Sequence, residues 1–218
     1  MQIHRLIFNP YEVNTYIISD ATGQSIIIDP ACCSPEERTV LQSYIEQHRL
    51  NPVWLINTHG HFDHVIGNAF VCGTWQVKTA AHRSDLFLME KAYRQGETFG
   101  FPVEPPPVPE VFFEDGDELT VNDVKMTFRH IPGHSPGSIV IALPEEKKVF
   151  AGDVLFNGSI GRSDLPGGDY DLLMDGITRK LLTLPPDTAV FPGHGPATSI
   201  GEEMLHNPFL TNIQAPNP

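Results

Sequence analysis

The sequence predicts a loop-rich α/β fold built from two strand-rich halves. Glycine (18) and proline (20) are abundant among its 218 residues, which favours short elements joined by turns over a helical bundle. Short apolar runs recur between clusters of Asn, Asp, Gly and Pro, as half-buried strands do. Capped, helix-like stretches lie between several of these runs. The length suits one full domain with a substantial core, so residues 1–218 are expected to form a single domain.

Residues 2–8 read as a strand, Asn9-Pro10 as a turn, and Val13 to Ser19 as a second strand. Ala21-Thr22-Gly23-Gln24 is a hairpin turn into Ser25 to Asp29, which carries three consecutive isoleucines. Asp29 is either a turn former or a group that steers a metal-ligating imidazole. Ser34-Pro35-Glu36-Glu37 starts a helix running to His48, with a serine cap, proline in the first turn and acids facing the positive end of the dipole. Val53 to Asn57 is a strand, followed by a helix from Val65, a strand at Val77 to Ala80 and a helix from Ser84 to Gln95.

Between Gly96 and Glu110 stand Pro102, Pro105, Pro106, Pro107 and Pro109, which forbid a helix interior or a central strand. This stretch is expected to be a stiff crossover between the halves and a candidate rim of the site. Strands follow at Val111 to Phe113, Glu118 to Val121, Val124 to Ile131, Ser138 to Leu143 and Lys147 to Ala151. Asp169 to Leu184 reads as a helix whose apolar face is Leu172, Leu173, Ile177, Leu181 and Leu182. A last strand, Thr188 to Phe191, and a last helical turn, Gly201 to His206, close the pattern.

Composition narrows the function classes. The formal net charge of −13 opposes the positive field that nonspecific nucleic-acid binding requires. No apolar run approaches membrane-spanning length, and the N-terminus lacks a basic start before a long apolar stretch. Cys32, Cys33 and Cys72 form neither a disulfide framework nor a metal-site spacing, which suits reduced residues in a cytoplasmic protein.

The chemistry concentrates in Thr58-His59-Gly60-His61-Phe62-Asp63-His64, which leaves the apolar run Val53 to Asn57. Four possible ligands fall within six residues, and imidazole nitrogen and carboxylate oxygen are what a divalent first-row metal accepts. His59 and His61 can reach one ion, while Asp63 and His64 can serve a second. Three further apolar runs each end in small or rigid residues and a possible ligand: Pro132-Gly133-His134, Gly152-Asp153 and Pro192-Gly193-His194. Together these make five histidines and two carboxylates, enough for two ions. His4, His48, His82, His130 and His206 lack this placement and read as surface or packing residues.

His59-x-His61-x-Asp63-His64, followed by His134, Asp153 and His194, resembles the metallo-β-lactamase superfamily over nearly the whole chain. The segments Pro132-Gly133-His134-Ser135-Pro136-Gly137, Gly152-Asp153-Val154-Leu155-Phe156, Gly161-Arg162-Ser163-Asp164, Pro192-Gly193-His194-Gly195-Pro196 and His206-Asn207-Pro208-Phe209 are similar to the glyoxalase II branch (hydroxyacylglutathione hydrolases), especially its short bacterial members. The resemblance implies a four-layer αββα sandwich, two mixed β-sheets flanked by helices, with the site along one edge between the sheets. It implies that His59, His61 and His134 hold one metal, that Asp63, His64 and His194 hold another, and that Asp153 bridges them. The implied cofactors are two divalent ions, zinc in first place with iron or manganese suited by the same ligands.

The implied activity is hydrolysis of a small-molecule thioester, S-D-lactoylglutathione or a relative, by a hydroxide held between the ions, with Asp63 and Asp153 limiting the positive charge. Arg162 is a candidate contact for an anionic part of the substrate, or else a loop salt bridge. Full-length glyoxalase II enzymes carry a helical C-terminal domain with glutathione-binding residues. This chain ends about 24 residues after His194, so that domain is expected to be absent and glutathione recognition stays open. Two alternatives remain. Persulfide dioxygenases share the scaffold, the early histidine cluster and a similar Gly161-Arg162-Ser163-Asp164, but use a single iron. Hydrolysis of a lactone, β-lactam or phosphodiester is the other. Oligomeric state is not legible.

Overall fold

The first half of the chain builds a six-stranded sheet in the order β1 (Gln2–Phe8), β2 (Val13–Ser19), β3 (Gln24–Ile28), β4 (Asn51–Ile56), β5 (Lys78–Ala81), β6 (Val111–Phe112). The computed structural model describes residues 1–101 and 103–211, so Pro102 of the proline-rich stretch lies outside the described residues. β1, β2 and β3 pair antiparallel, and β3 to β6 pair parallel. Parallel neighbours need crossovers, supplied by α1 (Pro35–Gln47), the short α2 (Phe62–Val65), α3 (Asn68–Trp75) and α4 (Leu86–Thr98). The capping box expected at α1 is present: Ser34 accepts from the Glu37 backbone, and Glu37 accepts from the Ser34 backbone.

The second half builds β7 (Glu118–Val121), β8 (Val124–His130), β9 (Ile139–Leu143), β10 (Lys148–Gly152), β11 (Leu155–Phe156), β12 (Ser159–Ile160), α5 (Tyr170–Gly176), β13 (Ala189–Pro192), β14 (Thr198–Ser199) and α6 (Ile200–His206). Its six-stranded sheet runs β14-β13-β10-β9-β8-β7, with β10 and β13 parallel and the other pairs antiparallel. β11 and β12 form a separate hairpin.

The isoleucine run shows why four layers form. Ile26 and Ile28 point between the sheets, against Met126, Phe128, Ile139, Ile141 and Phe150. Ile27 points the other way, onto Leu41, Ile45 and Val71 of the first helical layer. A strand covered on both faces reads as continuous rather than alternating apolar sequence. On the far side, Leu173, Ile177 and Leu181 cover Val140, Ala142, Val149 and Ala151. The αββα sandwich with two mixed sheets is therefore the fold.

Several boundaries differ from expectation. The expected strand Val111 to Phe113 belongs to the first sheet, because Val111 pairs with Ala80 and Glu110 donates to Thr79. Instead of one helix from Val65, two short ones flank Gly67, whose backbone approaches the Pro30 carbonyl too closely for a side chain. The expected helix Asp169 to Leu184 is α5 followed by a π-turn over Ile177–Leu181, and the structure leaves Leu172 exposed rather than on the buried face. The turn that widens at Ile177 swings Leu181 onto the core in register with Leu173.

Candidate metal centre

Every candidate ligand sits where a strand gives way to a loop at one edge of the sandwich. After β4 the chain passes through His59 to His61, which caps α2, and Asp63 and His64 occupy its first turns. β8 leads to His134, β10 to Asp153 and β13 to His194. The structure brings all seven together. Nδ1 of His61 lies 2.9 Å from Nε2 of His134, which lies 3.3 Å from Nε2 of His59. Nε2 of His64 lies 3.2 Å from Nε2 of His194, with Asp63 Oδ2 at 3.9 Å and 3.7 Å from them. Asp153 stands between the two sets: Oδ1 is 3.5 Å from His64 Nε2, and Oδ2 is 3.5 Å from His134 Nε2 and 3.4 Å from His194 Nε2.

The hydrogen bonds behind the rings decide which nitrogens face the centre. His134 Nδ1–H donates to the Arg162 carbonyl at 2.8 Å, and His194 Nδ1–H donates to the Tyr11 carbonyl at 2.8 Å. His64 Nδ1–H donates to Asp29 Oδ2 at 3.0 Å. Thr58 donates its hydroxyl to the same oxygen at 2.6 Å, so the Thr58 oxygen accepts from His59 Nδ1–H at 3.1 Å. Each of these four rings therefore turns its Nε2 inwards, a lone pair wherever the ring is neutral and, on His64 without metal, a proton. Lone pairs packed this closely repel unless a cation lies among them. Asp153 Oδ1, buried and without a hydrogen-bond partner among the described residues, points to the same need. The donor set, nitrogen and carboxylate oxygen, fits divalent first-row metals.

Asp29 is thus the imidazole-steering group rather than a simple turn former. Asp29, His59 and His64 also lie close enough to hold an ion together. Both Asp29 oxygens are already occupied by the Thr58 backbone, the Thr58 hydroxyl and His64, so Asp29 orients ligands instead. Gly193 is required by crowding: a Cβ there would run into Asp153 Oδ1 and sit 2.8 Å from His64 Cε1.

The protons divide the metal-free centre into two. Burial, then the neighbouring His134, pushes the His61 imidazolium down to about 3. Burial and His64 push His59 well below the usual histidine range. Burial opposes charge on His64 too, but Asp153, Asp63 and Asp29 outweigh it and lift that imidazolium to about 10. Burial likewise opposes charge on His194, and the bond and charge of Asp153 raise it. Asp153 is held well below the usual carboxylate range: burial would raise it, and His64, His194, His134 and His59 prevail. Below its unfolded value, a group with a depressed pKa such as His61 costs stability as pH falls toward 3. In the metal-free protein, the His61 and His59 resonances should stay neutral from about pH 8 to 5 while His64 stays charged. An NMR titration with an ordinary midpoint for any of the three would contradict this division.

Asp85 was not legible in the sequence. Fully buried, it accepts from Gly60 N at 2.8 Å, from Ser135 Oγ at 2.7 Å and from Gly137 N at 2.6 Å. It thereby ties the loop of His59 and His61 to the loop after His134. Burial pushes its carboxyl up, and the Ser135, Gly60 and Gly137 bonds pull against that. Asp85→Ala leaves the Gly60 and Gly137 amides buried and unpaired, with Ser135 Oγ keeping its Ser138 bond, and is expected to cost about 3 kcal/mol in urea unfolding. An unchanged midpoint would show the tie to be dispensable.

The cluster forms the floor of a cavity of about 440 Å³, walled by Tyr11, Phe62, Leu88, Gln95, Phe99, Arg162, Leu165 and Pro166. The aromatic wall was likewise missed, since its members are scattered through the chain. Arg162 does reach the cavity, yet its side chain is forked onto Asp164, Nε to Oδ1 and Nη2 to Oδ2, both at 2.8 Å. Among the described residues, no helix is long and apolar enough to cross a membrane.

Comparison with known proteins agrees with this geometry. A sequence profile of the metallo-beta-lactamase superfamily matches residues 8–194. Hydroxyacylglutathione hydrolase GloC of Haemophilus influenzae is 36% identical, over 97% of this chain and 99% of the relative. Among solved structures, TTHA1623 in a di-iron-bound form is 38% identical with a TM-score of 0.86, covering 95% of this chain and 100% of that one. The BLEG-1 B3 metallo-beta-lactamase is 33% identical with a TM-score of 0.89, covering 97% of this chain and 100% of that one. With the fold, the clustered histidines and carboxylates and these likenesses in agreement, the chain belongs to the metallo-beta-lactamase superfamily and is a metallo-hydrolase by kinship.

Proposed function

We propose that the chain is a thioesterase of the glyoxalase II type, which hydrolyses S-D-lactoylglutathione or a related thioester to an acid and a thiol. One observation carries the reading: five imidazoles and two carboxylates gather into two adjoining donor sets with Asp153 between them, and His61, Asp63, His134, Asp153 and His194 line an accessible cavity. His59, His61 and His134 would hold one divalent ion and Asp63, His64 and His194 a second, with Asp153 reaching both. Such ions, when bound, supply Lewis acidity and lower the pKa of water from ~15.7 towards ~7. Zinc is the first candidate, and iron or manganese suit the same donors.

The chain's own groups do the rest. Asp63 and Asp153 offset part of the positive charge, so the centre need not trap an anionic product. Asp29, Thr58 and the Tyr11 and Arg162 carbonyls hold four imidazoles with their Nε2 atoms inwards and their protons outwards. A substrate lying against the cavity walls would have its scissile carbonyl near His61, His134 and Asp153, which line the same cavity. In the overall reaction, hydroxyl from water ends on the acyl carbon, the C–S bond breaks and a proton goes to sulfur. The free thiols Cys32, Cys33 and Cys72 fit a reducing compartment, so we place this activity in the cytoplasm.

The test is thiol release from S-D-lactoylglutathione by metal-analysed protein, with and without a chelator. Release that chelation abolishes and added metal restores is the expected result. Oxygen uptake with glutathione persulfide, without thiol release, would favour the one-iron persulfide dioxygenase instead. The complete second donor set of Asp63, His64 and His194 favours the hydrolase, since a single ion has no use for it.

A further inference from the structure

Three features of the cavity have no part in holding metal. The first is an aromatic wall. Phe62 and Phe99 stack with ring centroids 5.4 Å apart and planes within 5°. Tyr11 meets Phe62 edge-on at 5.6 Å and Phe101 at 5.7 Å. The second is where this wall stops being covered: Phe99 is 59% exposed and Tyr11 40% exposed at the cavity mouth. Phenylalanine left open to water beside a cavity marks a surface that gains by being covered. Third is the state of the local charge. Among the described residues lining the cavity, Arg162 is the only lysine or arginine, and its charge is paired by Asp164, which forks onto the Nε–Nη2 edge of the guanidinium. A substrate rich in carboxylates finds on these walls one cation, already ion-paired to Asp164.

Resting on the thioesterase reading, we propose that the cavity selects an uncharged thioester with an apolar body, which lies against Tyr11, Phe62 and Phe99, rather than an anionic peptide thioester. Phe99 and Tyr11 are specificity-determining residues, and Asp164 acts on specificity by keeping Arg162 neutralised. The glutathione moiety, with two carboxylates and an ammonium group, suits this wall less well than an alkyl or aryl group of similar reach.

The experiment compares thioesters of alkyl thiols, whose leaving groups have similar acidity, with metal-loaded enzyme. One series lengthens the thiol half from ethyl to hexyl and benzyl on a lactoyl group. A second lengthens the acyl half from acetyl to phenylacetyl on ethanethiol. S-D-lactoylglutathione is the anionic reference. In at least one series kcat/KM should rise by about tenfold or more with apolar size, as filling an apolar pocket does, and exceed the value for the glutathione thioester. In Phe99→Ser and in Tyr11→Ser that rise should shrink towards unity while bound metal per chain is retained. Asp164→Asn, which frees Arg162, should move relative kcat/KM towards the glutathione thioester. As a readout without turnover, the thioether 1-(benzylthio)propan-2-ol should bind the metal-free protein more tightly than its ethyl counterpart.

Flat responses in both series, or a preference for the glutathione thioester that Arg162→Ala selectively removes, would overturn the proposal while leaving the thioesterase reading intact. Failure to release thiol from any compound would instead sink the thioesterase reading, and the thioether binding then still decides whether the wall prefers apolar groups.

Discussion

Asp153→Ala should lower thioester hydrolysis by roughly a thousandfold or more while the circular dichroism spectrum stays that of the parent. Asp153 lies within 3.5 Å of ring nitrogens from both donor sets, so its loss affects both at once. It is also the strongest local source of negative charge for His64, whose imidazolium it stabilises against burial. With Asp153 gone, both sets lose a donor, and bound metal should fall below two ions per chain. The fold should survive, because the Asp153 side chain bonds to no backbone group and its Oδ1 has no partner among the described residues. Asp153→Asn keeps one acceptor oxygen without the charge and should fall between parent and alanine. Turnover retained in Asp153→Ala would contradict the assignment.

The second large effect is expected at Asp29, which is not itself a ligand. One oxygen accepts from the Thr58 backbone at 2.8 Å, and the other from the Thr58 hydroxyl at 2.6 Å and from His64 Nδ1–H at 3.0 Å. A single carboxylate thus fixes His64 directly and His59 through Thr58, one ring from each donor set. Asp29→Asn is the cleaner variant, since the residue has φ of 48° and asparagine tolerates that left-handed conformation. The amide must turn an N–H towards Thr58 or His64, where only donors wait. Metal affinity should drop about 10- to 100-fold, the usual consequence of losing a group that orients a ligating imidazole. Chelator competition reads this directly. Affinity equal to the parent's would mean that the Asp29 bonds serve folding alone.

Local pattern carried most of the fold. β2 and β7 have the limits expected of them, because each is an apolar run bracketed by turn-forming residues. α1 was legible because serine, proline and glutamate in that order satisfy the exposed amides of a helix start. Elements that need a distant partner were not. β6 is only two residues long and is defined by pairing with β5, so nothing in Val111-Phe112 itself says which sheet it joins. The hairpin of β11 and β12 and the strand β14 are equally short and were absent from the expectation.

The candidate centre divides the same way. Its cluster of candidate ligands was legible because four of them crowd into six residues; His134, Asp153 and His194, each ordinary turn chemistry alone, gained meaning only beside that cluster. Asp85 was not, since it lies 25 residues from Gly60 and 52 from Gly137, with no spacing that foretells either contact. Tyr11, Phe62 and Phe99 come from three separate segments and become a wall only when those segments fold together. Of the two readings of Arg162, the structure shows the loop ion pair with Asp164, formed at the cavity wall.

The central claim is that these seven side chains hold two ions on either side of Asp153. Anomalous X-ray diffraction from metal-loaded crystals, collected at the absorption edge of the bound metal, tests it most directly. Two peaks are expected, one among His59, His61 and His134 and the other among Asp63, His64 and His194, with Asp153 touching both. A single peak, or peaks away from these residues, would contradict the account.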